Sequence, residues 1–208
     1  MNYTIVAVGK LKEHFWKDAC AEYVKRLGAY GKVRVVEVPD VDPARAGGVE
    51  GSRAREGQGI LAAVPARSHV ILLAIEGRER SSEDFSRRLD QLALGGQSDV
   101  TFVIGGSDGV CDEVRARANE TLSFGPITLP HNLARVVLLE QVYRACKISR
   151  GEKYHKEAGR FSPRSQRPAS AKGPRSRLAA GASSCRVIGC LCGGQAALAT
   201  CSCGRYGR

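Results

Sequence analysis

FVIGGSDGVCDEVRARANETLSFGPITLPHNLARVVLLEQVYRACKISRGEKYHK, residues 102–156, is the stretch that decides the fold. An apolar strand over 100–104 runs into Gly105-Gly106-Ser107-Asp108-Gly109, and residues 111–120 carry a helical pattern. A short apolar run, 127–129, reads as a fifth strand and leads into Pro130-His131-Asn132. The spacing then predicts a long amphipathic helix, capped by Asn132 and ending on Tyr154-His155, with Leu133, Val136, Val137 and Leu139 on its apolar face. Two loops able to bring backbone amides to a ligand thus lie close to a cluster of His, Arg and Tyr. That combination points to a small-molecule pocket beside an anion-binding surface.

The pattern extends upstream. Residues 3–8 (YTIVAV) form a continuous apolar run, as expected of a strand buried on both faces. Leu11, Phe15, Ala19, Tyr23 and Leu27 recur at spacing four and predict a helix that Gly28 can end. Residues 33–38 form a second strand, stopped by Pro39. Residues 40–58 have little periodicity and read as a loop, then a helix reaching about Val64. Residues 70–75 (VILLAI) form a third strand, broken by Gly77. Ser81, three residues before Asp84, opens a helix carrying Phe85, Leu89 and Leu92. Strands alternating with helices imply an α/β class with a largely parallel sheet covered on both sides.

Composition divides the chain in two. Of 32 Lys/Arg and 21 Asp/Glu, residues 157–208 hold nine basic side chains and one acid, Glu157. The part before them, with 23 basic and 20 acidic residues, is only mildly basic. A mildly basic domain binds RNA only if its charges cluster. Cys185, Cys190, Cys192, Cys201 and Cys203 crowd the tail at spacings unlike common zinc motifs, so no metal is expected. Cys20, Cys111 and Cys146 read as small buried thiols. The tail, rich in Gly, Ala, Ser, Arg and Cys, lacks the large apolar residues that offset ordering entropy, and is expected to be disordered. It reads either as readthrough or out-of-frame translation of GC-rich DNA, or as a basic RNA-binding arm. No run is long enough to span a bilayer, and the N-terminus reads as a strand entering a helix, not a signal peptide. A cytoplasmic protein without membrane partners is the expectation.

In parallel α/β sheets, ligands bind beyond the carboxyl ends of strands. Three such ends stand out: residues 73–77, residues 105–109, and Phe124-Gly125-Pro126 leading into 127–129. Paired glycines after a strand permit close backbone approach to a ligand, or simply a tight turn. There is no GxGxxG fingerprint, which disfavours a dinucleotide site. His131 is a base, an RNA contact or a surface residue at a helix start. Arg135 and Arg144 hold phosphate or are solvated, and Tyr154 stacks on a base or caps the core edge.

These residues carry a resemblance. AVGKLKEHFWKDACAEYVKRL, FVIGGSDG, SFGPITLPH and RVVLLEQVYRACKISRGEKYHK are similar, in order, to signatures of the RlmH family of ribosomal large-subunit pseudouridine methyltransferases, small members of the SPOUT class. The resemblance covers residues 1–156, the expected domain, and leaves 157–208 as an extension. It implies an α/β domain whose C-terminal part is threaded as a trefoil knot, working as a homodimer. It also implies S-adenosyl-L-methionine as methyl donor, held by Leu73, Gly105 and the segment Phe124, Gly125, Pro126, Ile127, Thr128 and Leu129. The acceptor implied is N3 of a pseudouridine in large-subunit (23S) rRNA within the assembled 70S ribosome. His155 is then the candidate base, Tyr154 and Arg135 position the nucleotide, and His131 and Arg144 lie on the RNA side. Two other readings stay open: a catalytically idle ribosome- or RNA-binding protein of the same shape, and a methyltransferase of this class acting on tRNA.

Overall fold

The structure is a computed structural model and describes residues 1–152. The elements run β1 (Asn2–Val8), α1 (His14–Leu27), β2 (Lys32–Val38), α2 (Pro43–Ala46), α3 (Val49–Ala63), β3 (His69–Glu79), α4 (Ser82–Leu94), β4 (Asp99–Ile104), α5 (Asp112–Arg117), β5 (Glu120–Ser123) and α6 (His131–Ser149). The strands make one parallel sheet in the order β2-β1-β4-β3-β5. Its central strands β1 and β4 are the continuous apolar runs, because helices cover both faces. Alternation divides their side chains. Tyr3, Ile5, Ala7, Ile71, Phe102 and Ile104 share one core with α1, α4 and α6. Val6, Val8, Val70, Leu72 and Val103 share the other with Ile60 of α3 and Val114 of α5.

Several elements differ from the sequence expectation. Leu11 precedes α1, and Phe15 is 61% exposed. Side chains four apart drift by about 40° per step on a 3.6-residue helix, so Phe15 has rotated off the face that Leu27 buries. The face that packs is Trp16, Cys20, Tyr23, Val24 and Leu27. In residues 40–58, Asp42 caps the short α2 by accepting from the Ala44 N–H (2.9 Å), and α3 begins already at Val49. Glycines let α3 approach its neighbours: a Cβ on Gly57 would lie 2.2 Å from Cys111 Sγ. The Ser81 cap on α4 is present, its Oγ accepting from the Asp84 N–H (3.0 Å).

The largest correction is the fifth strand. It is Glu120–Ser123, and residues 127–129 are loop. Gly125-Pro126 before and Pro130 after the run withhold the ladder that its apolar character suggested. Glu120 is tolerated at the strand start because His69 Nε2 (2.8 Å), Arg80 Nη2 (3.0 Å) and Arg88 Nε (3.1 Å) surround its carboxylate. Asn119 continues the edge, exchanging bonds with the backbone of Val70. The last helix ends at Ser149, not at Tyr154-His155, and Pro130 occupies its N-cap position in place of Asn132. Tyr154, His155 and the basic extension lie outside the described residues. Among the described residues no helix is long and apolar enough to cross a membrane.

Candidate active site

Three strands end at one side of the sheet, and each delivers a loop there. β3 pairs with β5 up to Leu73–Leu122, leaves the ladder, and resumes at Arg78, which again faces Leu122. Residues 74–77 are thereby pushed out as a bulge. Gly77 is needed at its base, since a Cβ there would lie 2.7 Å from the Leu122 carbonyl carbon. Ser123 ties the bulge to the next loop, donating to the Ile75 carbonyl (2.9 Å) and accepting from the Gly125 N–H (3.1 Å).

After β4, the Gly109 N–H closes a turn onto the Gly106 carbonyl (3.1 Å). Arg53 of α3 steadies it from outside, donating through Nε to the Asp108 carbonyl (2.6 Å). A Cβ on Gly105 would lie 2.7 Å from Val110 Cγ1, and one on Gly106 would lie 2.7 Å from Glu56 Oε2. The paired glycines therefore serve the tight turn. The turn also lines a cavity.

That cavity, about 570 Å³, is bounded by the bulge, the glycine turn, the loop after β5 and the start of α6. Small-molecule sites commonly occupy ~300–1,000 Å³. Leu73, Gly105, Phe124, Gly125, Ile127, Thr128 and Leu129 all line it, whereas Pro126 does not. Gly125, at φ +101°, lets the loop turn back across the opening. The walls are largely apolar, and Ile75 and Ile127 (70% exposed) form an apolar lip. Apolar walls with nearby backbone amides suit a nucleoside-bearing ligand.

Sequence reasoning missed Glu76 and Arg115. Both line the cavity, and Arg115 Nη1 pairs with Glu76 Oε1 across its rim. Glu76 is held below the ordinary carboxylate range by its own backbone N–H and then by Arg115. The signal available was a charged residue immediately after a buried strand, at the end where ligands bind.

The residues expected on the acceptor side are dispersed. His131 lines the cavity and packs on Gly9, whose φ of +86° and missing side chain admit it: a Cβ there would lie 3.1 Å from His131 Nε2. Arg135, expected to position a nucleotide, is completely buried. Its Nη1 donates to Glu37 Oε1 (2.7 Å), which also accepts the Leu11 N–H, and its Nη2 donates to the Gly9 carbonyl (2.8 Å). With its guanidinium closed off from solvent, Arg135 braces the end of β1 and touches nothing in the cavity. Arg144 lies three turns along α6, paired with Glu140.

α6 begins at the cavity, where His131 and Ala134 line the wall. It finishes at the opposite end of the sheet, where Cys146, Ser149 and Arg150 share a small groove with Met1 and Tyr3 at the start of β1. There Tyr30 donates to Glu152 Oε2 (2.9 Å), Lys147 pairs with the same carboxylate, and the Arg150 guanidinium sits 4.3 Å over the Tyr30 ring.

The model of a family described as predicted SPOUT methyltransferase matches residues 1–155. The chain is 54% identical, over 159 residues, to the Ribosomal RNA large subunit methyltransferase H of Listeria monocytogenes serotype 4a (strain HCC23), covering 75% of this chain and 100% of that one. The identity and both coverages are the same for the protein of that name from Bacillus thuringiensis (strain Al Hakam).

Proposed function

The chain belongs to the SPOUT methyltransferase family, and from that premise we propose that it methylates N3 of a pseudouridine in large-subunit (23S) rRNA, using S-adenosyl-L-methionine, on the assembled 70S ribosome. The observation that carries this reading is a cavity at the carboxyl ends of β3, β4 and β5, bounded by all three loops that the family resemblance assigns to the donor. When bound, the donor supplies a methyl group made electrophilic by its sulfonium, so the protein's task is placement and proton removal. Leu73, Gly105 and the 124–129 loop would hold the donor, with Pro126 restricting the loop's backbone.

The acceptor N3–H must lose its proton. We assign that proton to His155 and the stacking of the base to Tyr154. Arg135 is withdrawn from the acceptor side, because it is wholly buried, lies outside the cavity lining, and spends its Nη1 and Nη2 on Glu37 and Gly9.

The direction of α6 supports a homodimer. Its 19 residues span about 28 Å at 1.5 Å per residue, from the cavity to the far end of the sheet. Tyr154 and His155 follow Glu152 by two and three positions, a reach of at most about 11 Å at ~3.6 Å per residue. That reach is far shorter than α6 itself, so we infer that these two residues serve the cavity of a second copy. Arg144, on the outward part of α6, then faces RNA or the partner. The threaded knot of the family belongs to the same proposal.

Mass mapping of rRNA in a deletion strain tests the function: one N3-methyl on a large-subunit pseudouridine should vanish and return with this chain. Its persistence would remove the reading. Protein-free transcripts carrying pseudouridine should be poor substrates, since a mildly basic domain gains little from phosphate charge alone. Equal rates on transcripts and ribosomes would refute the ribosomal substrate.

A further inference from the structure

The cavity wall is largely apolar. Among the described residues that line it, the formally charged side chains are Glu76 and Arg115, and they face each other across the rim. They come from separate elements, the bulge of β3 and the helix α5, and are 39 positions apart. Their side chains are 62% and 44% exposed. An ion pair so exposed contributes little to stability, because water screens it and two long side chains must be held still. It is also cheap to open. The free rim thus holds one negative and one positive charge, paired with each other and ready to be exchanged.

We propose that this pair is the receptor for an amino-acid zwitterion: Arg115 takes the α-carboxylate of the donor and Glu76 takes its α-ammonium. The inference rests on the methyl-donor reading above and adds the element that selects the amino-acid half of that molecule. The physical argument is charge balance at the rim. A ligand carrying both charges replaces one ion pair by two, so neither protein charge is left unpaired. A ligand carrying only the nucleoside leaves the original pair in place and gains nothing from it. A planar guanidinium fits a carboxylate through two parallel N–H bonds. Burial does not hinder the exchange, since neither side chain is part of the core.

Three facts make the rim a defined receptor. Glu76 cannot drift far, because the bulge that bears it is fixed by Ser123 on the Ile75 carbonyl and by the crowding of Gly77 against Leu122. Arg115 is set one helical turn beyond the start of α5, whose Val114 is anchored in the core. The glycine turn between them is held by Arg53.

The test is calorimetry on the full chain with three probes: S-adenosylmethionine, S-adenosylhomocysteine and 5′-methylthioadenosine, which keeps the nucleoside and lacks the amino-acid group. The native protein should prefer S-adenosylhomocysteine over methylthioadenosine. Arg115→Met should weaken S-adenosylhomocysteine roughly tenfold, the worth of a charge-assisted hydrogen bond, and leave methylthioadenosine unchanged. Glu76→Gln should weaken S-adenosylmethionine and S-adenosylhomocysteine alike. If Arg115→Met lowers all three affinities equally, or none, the receptor assignment is wrong. If Glu76→Gln affects S-adenosylmethionine alone, Glu76 meets the sulfonium and the ammonium assignment is overturned. Failure of the native protein to bind any probe would instead overturn the donor reading, a separate outcome. Unchanged melting of both variants shows that the comparison concerns binding and not folding.

Discussion

Replacing Arg135 with Met separates bracing from RNA contact. The side chain is wholly buried, and Met fills most of its volume while removing both used donors. The Gly9 carbonyl loses a partner inside the protein, at about 1–3 kcal/mol. Glu37 loses its cation but keeps the Leu11 N–H, and its side chain is one-third exposed (34%), so water can take over part of the charge. The total should therefore fall below the upper part of the ~3–5 kcal/mol seen when one member of a fully buried pair is removed, at about 2–4 kcal/mol. For a domain of this size, each kcal/mol moves the melting temperature by roughly 2–4 °C, which gives a fall of roughly 5–15 °C by scanning calorimetry. Donor affinity should drop as well, because Gly9 carries the contact that seats His131 at the cavity wall. A variant that melts within about 1 °C of the native protein and yet loses turnover would refute this reasoning. Arg135 would then be reaching the nucleotide, as its place near the acceptor side suggested.

Other outcomes follow from the same geometry. Gly105→Val should abolish donor binding by wedging the turn against Val110 Cγ1, 2.7 Å from the new Cβ; undiminished calorimetric binding would move the pocket elsewhere. Burial pushes the Glu120 carboxyl up, but bonds from His69 and Arg88 outweigh it and leave it lowered. The stability this adds is present above the unfolded glutamate value of ~4.3 and is lost as pH falls through the lower folded value. Glu120→Gln should therefore flatten the acid side of a melting-temperature-against-pH curve, and superimposable curves would deny the anchor. Tyr154→Ala and His155→Ala should depress turnover more than donor affinity, and loss of His155 should flatten the acid limb of the pH–rate profile; an unchanged limb leaves His155 without the proton. Trimming after Lys156 should leave melting nearly unchanged and turnover equal or higher, while lost turnover at every salt concentration would make the extension part of the enzyme.

The sheet was legible because strands buried on both faces cannot hide: YTIVAV, VILLAI and TFVI are too apolar and too short for anything else. The first two loops of the cavity were legible for a related reason. Both begin where such a run stops near a glycine, and parallel strands all stop at the same side. The fifth strand was not legible. Its residues, Glu120-Thr121-Leu122-Ser123, are half polar, and they hold their place through partners distant in sequence: His69, Arg80 and Arg88 on the carboxylate, and Ile75 on Ser123. Periodicity reports faces, not such pairings. The apolar run at 127–129 was apolar for the cavity's sake, not the sheet's.

For Arg135 the chain did contain the signal. On α6 it stands in register with Leu138, Leu139 and Val142, all buried, and a cation in such a stripe must either face a cleft or meet an acid. The acid was present as Glu37, near the end of the valine-rich run VRVVEV. Two charges that each interrupt an apolar pattern, on elements that share a sheet end, are better read as each other's partners than as two ligand contacts. The structure joins them at 2.7 Å and adds the Gly9 carbonyl. The pair thereby fixes where β1 gives way to the Lys10–Glu13 loop and where His131 rests. What remained for the ligand was the other kind of charge, Glu76 and Arg115, which interrupt no buried stripe and lie open at the rim. Burial thus separates the charges that shape the site from those free to change partners in it.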